Sequence, residues 1–139
     1  MQKLRQKEAT SQALSVLQQM KSAKDPRHVV RIETVRELFA SSFAPQPVGE
    51  RTRKILENAG VLDKKISEAA PEWPIEKLNK IDLAILRLAV FELTHTDTPP
   101  KVIIDEAVEL AKQFGSEASP AFINGVMGTI LKEKGNEQS

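Results

Sequence analysis

Lys80-Ile-Asp-Leu-Ala-Ile-Leu-Arg-Leu-Ala-Val-Phe-Glu-Leu93 is the stretch that decides the fold of this 139-residue chain. Wound at 3.6 residues per turn, Ile81, Leu83, Ala84, Ile85, Leu86, Leu88, Ala89, Val90, Phe91 and Leu93 cover nearly every side, interrupted by Asp82, Arg87 and Glu92. A helix apolar almost all round needs neighbours on most sides. The run is shorter than the ~18 apolar residues that mark a membrane span, so residues 75–94 are predicted to hold the central helix of a packed bundle.

Working outward from it, every segment reads as helix or turn. Thr94 to Pro100 is polar and proline-rich, a turn. Residues 101–114 are amphipathic, with Val102, Ile103, Ala107, Val108, Leu110, Ala111 and Phe114 against Asp105, Glu106, Glu109 and Lys112, and Gly115 is expected to close the helix in the left-handed conformation. Ser119-Pro120 then opens a last helix to about Lys132, with Phe122, Ile123, Val126, Ile130 and Leu131 inward and Gly125 and Gly128 allowing close helix packing; residues 135–139 are expected to fray. Upstream, Pro71-Glu-Trp-Pro74 stops a helix that begins at residue 50 and is interrupted near Gly60, and Trp73 reads as an anchor pinning its loop to the core. Ala44-Pro-Gln-Pro-Val-Gly49 is a loop. Asp25-Pro26 is a helix start, an N-cap followed by a residue with no N–H to lose. That helix is predicted from Pro26 to about Phe43, with Val30, Thr34, Val35, Leu38, Phe39 and Phe43 in its apolar stripe and Arg27, His28, Arg31 and Arg36 beside or opposite it. Residues 3–22 form a further amphipathic helix. The expected architecture is an all-α helical bundle of six or seven helices in a single domain, with residues 1–24 a candidate N-terminal extension.

Composition narrows the chemistry. No Cys means no disulfide, thiolate metal site or Cys nucleophile. His28 and His95 lie in different segments, without metal-pair spacing. Asp105 and Glu109, four apart, share a helix face, which serves acid/base chemistry less readily than it serves a solvated or docking face. No Gly-rich phosphate loop or Ser-His-Asp set is present. A non-enzyme without cofactor or metal is expected. Residues 1–20 are too polar for a signal peptide, and a cytoplasmic protein is the expectation.

The net charge of +1 hides a division: residues 1–36 hold eight Lys and Arg against three Asp and Glu, and the remainder twelve against sixteen. Ordinary solvated faces would give such counts, as would a basic end that meets a polyanion and an acidic body that meets something basic. Arg27, His28 and Arg31 fall in the first two turns of the helix begun at Pro26, where guanidinium forks and free backbone N–H groups suit phosphate oxygens. Lys3, Arg5, Lys7, Lys21 and Lys24 would widen the patch. Few aromatics are near to stack on bases, Phe39 and Phe43 being closest, so affinity for a nucleic acid would lean on phosphates and fall with salt.

From Trp73 onward the chain resembles the bacterial NusB family of transcription antitermination factors. Three strings in series carry the resemblance: Lys80 to Leu93 above; Pro100-Lys-Val-Ile-Ile-Asp-Glu-Ala-Val-Glu-Leu-Ala-Lys-Gln-Phe-Gly115; and Ser119 with Phe122-Ile-Asn-Gly-Val126. The resemblance implies an all-helical bundle of about seven helices. It also implies that the protein binds the box A RNA of rRNA leader transcripts together with ribosomal protein NusE, in a complex with NusA, NusG and RNA polymerase that suppresses termination. The implied RNA residues are Arg27, His28, Arg31 and Phe39, and the basic patch adds Lys3, Arg5, Lys24 and Arg36. Asp82 matches an acidic position of the RNA and NusE surface, and Asp105, Glu106 and Glu109 are the further carboxylates expected to receive a basic partner. Ala118 departs from the pattern where an acidic residue can occur.

Two registers compete in the N-terminal half. Pro26-Arg-His-Val-Val-Arg-Ile-Glu-Thr-Val-Arg-Glu-Leu-Phe39 reproduces the family's arginines and its Leu-aromatic pair, and is preferred for the site residues; it makes residues 1–24 an extension. Lys7-Glu-Ala-Thr-Ser-Gln-Ala-Leu14 keeps the family's length and spacing but loses most arginines and the aromatic. The rival functional readings are the RNA-recognition domain of an rRNA cytosine methyltransferase, whose N-terminal part resembles NusB, and a structural, homodimeric interaction module.

Overall fold

The computed structural model describes residues 25–138, and all regular structure among them is helical. The helices are α1 (Pro26–Ser41), α2 (Glu50–Glu57), α3 (Ala59–Ala69), α4 (Lys80–His95), α5 (Pro100–Phe114) and α6 (Ser119–Gln138), with a 3₁₀ turn at Ile75–Lys77. The chain divides into two compact units at Ile32 and Glu33. Of the first, residues 25–32 are described; they form the opening turns of α1. The predicted helix over residues 3–22 lies outside the described residues.

Helix starts follow local chemistry. At α1, the Arg27 N–H donates to Asp25 Oδ1 at 2.9 Å and the His28 N–H to the Asp25 carbonyl at 2.9 Å, satisfying donors that a first turn leaves orphaned. At α2 the capping group comes from another element: Glu37 of α1 accepts the Gly49 N–H at 2.7 Å and the Thr52 hydroxyl at 3.0 Å, placing a carboxylate at a helix N-terminus. Asn79 caps α4 by accepting the Ile81 N–H at 2.9 Å.

In the second unit α4 is the hub. It packs against α3, α5 and α6 and touches α2, while α6 also packs on α3 and α5. Ile85, Leu86, Leu88 and Val90 are at most 1% exposed, and full burial of a side chain of this size is worth about 1.5–3 kcal/mol. Ile55, Leu62, Ile66, Ile103, Leu110, Ile123 and Met127 complete the core. Two charges of α4 are paired across helices. Arg87 donates to Asp63 of α3 through Nε and Nη2 at 2.8 and 2.7 Å, and buried Glu92 has Arg51 of α2 at 3.6 Å.

Several sequence expectations are corrected. The exposure along α1 differs from the expected stripe: Val35 and Leu38 are buried, His28 and Arg31 are buried as well, and Val30, Phe39 and Phe43 are exposed. The break between α2 and α3 falls at Asn58, whose side chain donates to the Lys54 carbonyl, and Gly60 sits inside α3. Trp73 is 53% exposed, its ring edge-on to Phe122 at 6.1 Å, so it anchors no buried loop. Gly115 is extended, with φ −88° and ψ −171°. Its need for glycine is steric: a Cβ would lie 2.5 Å from Ser119 Cβ. Gly125 and Gly128 have nothing within 4 Å of a Cβ position, and among the described residues they serve no close helix contact.

Candidate nucleic-acid interface

The start of α1 presents one of its cationic groups to solvent. The Arg27 side chain is 74% exposed, with Nε donating to Asp25 at 3.1 and 3.2 Å. The Arg27 side-chain hydrogen bond, helped by its backbone N–H, holds the Asp25 carboxyl below the usual carboxylate range. His28 and Arg31, expected to share that surface, are buried at 5% and 3% exposure, so Arg27 and Arg31 do not form an exposed guanidinium pair. Lys3, Arg5 and Lys24 lie outside the described residues.

In the second unit the later half of α1 gathers aromatic and basic groups. Arg36 is exposed, its guanidinium 6.0 Å from the centroid of the Phe114 ring. Phe39 and Phe43, one turn apart, meet edge to face at 5.0 Å, and the Lys80 ammonium stands 4.1 Å from the Phe43 centroid while donating to the Ser42 carbonyl. Phe43 was among the rings the sequence offered for stacking, whereas Lys80 is absent from the sequence-based set. The i,i+4 spacing of the two rings was a visible signal; the approach of Lys80, 38 positions beyond Ser42, was not.

The carboxylates expected to receive a partner fall in two groups. Asp82, in the first turn of α4, is buried, and its Oδ1 has no hydrogen-bond partner. Burial pushes its carboxyl above the ordinary value, opposed by a hydrogen bond from Ser119, the fully buried first residue of α6. On α5, Asp105 and Glu109 are exposed and Glu106 is half-buried; Glu109 pairs with Lys112 at 3.7 Å. The sequence thus finds the acidic types, and the fold separates a buried carboxyl from a solvated row.

Among the described residues no three His, Asp or Glu side chains are gathered for a metal, and no helix is long and apolar enough to cross a membrane. A cleft of about 120 Å³ lined by Lys65, Glu68, Leu93, Thr94 and Lys134 holds none of the candidate residues and falls below the ~300 Å³ usual for small-ligand pockets.

Comparison with known proteins accounts for the helical order around this surface. The NusB family model matches residues 7–132, taking in the Lys7–Leu14 string ahead of Pro26. Over 93 residues the chain is 50% identical to the transcription antitermination protein NusB of Roseiflexus castenholzii, covering 61% of this chain and 66% of that protein. Over 85 residues it is 48% identical to the protein of the same name from Macrococcus caseolyticus, covering 61% and 65%. The match therefore spans just under two thirds of the length of these curated relatives. The solved structure of T. maritima NusB superposes with a TM-score of 0.71 at 32% identity, over 78% of this chain and 92% of that one. With the family model matching most of its length, and helical order and fold agreeing, the chain belongs to the NusB family.

Proposed function

We propose that this protein is a non-enzymatic RNA-binding antitermination factor acting in the bacterial cytoplasm. It binds box A RNA of rRNA leader transcripts together with ribosomal protein NusE, and the pair helps assemble the complex with NusA, NusG and RNA polymerase. The observation that carries this reading is the family match over residues 7–132, joined to a charge division in which the N-terminal 36 residues are strongly basic and the rest is acidic. Basic groups near the N-terminus, Lys3, Arg5, Lys24 and exposed Arg27 among them, neutralise RNA phosphates and release counterions. The exposed carboxylates of α5, Asp105 and Glu109, with half-buried Glu106 beside them, receive the basic protein partner, and each bound partner helps hold the other.

The test is RNA binding by the full chain carrying Lys3→Glu, Arg5→Glu and Arg27→Glu, with and without NusE. Arg31 is buried and its reversal would disturb folding, so it is left intact. Affinity for box A RNA at matched salt is expected to fall at least ~10-fold, with a shallower dependence of affinity on salt. NusE binding is expected to persist. Unchanged RNA affinity would overturn the assignment.

A further inference from the structure

We propose that Phe39, Phe43 and Lys80 form a stacking platform for an unpaired nucleotide of the bound RNA, the rings taking the base and Lys80 its phosphate. This rests on the RNA-binding reading above, in which Phe39 is already an implied RNA residue, and adds Phe43 and Lys80 to it. The chain has five Phe and one Trp, and two of the Phe lie adjacent at the end of α1 with 37% and 63% of their surface exposed. Core packing does not require them, because Val35 and Leu38 occupy the inward face of the same helix. Adjacent exposed rings on a small protein mark an interaction surface rather than ordinary scatter.

The charges beside the rings select the occupant. Lys80 stands over Phe43 and makes its polar contact with a backbone carbonyl, and Arg36, one turn before Phe39, lies over Phe114; neither pairs with a carboxylate among the described residues. Glu37, the acidic neighbour on α1, already serves Gly49 and Thr52. Rings bordered by uncompensated cations suit a base followed by a phosphate. An apolar protein segment laid on the same rings would have to desolvate Lys80 for no return.

The experiment measures anisotropy of a short labelled single-stranded box A RNA titrated with the full chain, and with Phe43→Leu, Phe43→Tyr and Lys80→Met. Phe43→Leu is expected to weaken binding about 10-fold, the scale of one lost base–ring stack, with an unchanged salt slope. Phe43→Tyr, which keeps the ring, is expected to bind as the parent does. Lys80→Met is expected to weaken binding and lower the salt slope by about one. If the parent chain binds RNA and Phe43→Leu binds it equally well, the platform is wrong while the RNA-binding reading stands. A parent chain that binds no RNA overturns both. Loss of NusE capture in Phe43→Leu with RNA affinity intact would assign the rings to a protein partner, and would also overturn the platform.

Discussion

Asp82 is a carboxyl group held where its charge is unwelcome. Burial raises its pKa above the ordinary 3.8, and one oxygen has no hydrogen-bond partner. The folded state therefore favours the protonated form. Its stabilising contribution is complete below the unfolded value near 3.8 and is lost as pH rises through the higher folded value. Asp82→Asn, neutral throughout, is expected to match the parent protein in stability near about pH 3, to exceed it increasingly as pH rises through the folded value, and to keep that margin above it. Urea unfolding of both proteins across that range checks it, and parallel stability profiles would refute it. His28 and Arg31 teach the complementary lesson. Their types were legible as cationic candidates, but exposure is decided by what packs on a side chain, and both are buried.

Glycines in and between the helices carry opposite consequences. Gly115 joins α5 to α6 where a Cβ would meet Ser119 Cβ at 2.5 Å and the Ala111 carbonyl at 2.8 Å. Gly115→Ala is expected to cost about 1–3 kcal/mol by overpacking, read as a lower urea midpoint. Gly125 and Gly128 lie within α6 with open space around them. Replacing either by Ala is expected to stabilise the free protein by roughly 0.5–1 kcal/mol, because glycine loses more backbone freedom in a helix and no neighbour objects to the methyl group. Thermal unfolding of the single variants decides it, and a lowered midpoint would refute it. The start of α1 was readable from Asp25-Pro26. The cap of α2 was not, because its acceptor, Glu37, sits on another helix.

At the scale of the whole molecule, the apolar period and the three family strings were enough to specify an all-helical chain with α4 at the centre of its second unit, an arrangement matched by the T. maritima NusB fold. The division of charge was likewise visible without coordinates, since it is a count along the chain. These properties belong to the sequence because period, capping chemistry and charge are set by residues a few positions apart. Which cations face solvent, which carboxyl is buried, and that Lys80 stands over Phe43 were decided by tertiary structure alone. Those outcomes depend on how helices are rotated against their neighbours, and that rotation is set by packing among residues far apart in the chain.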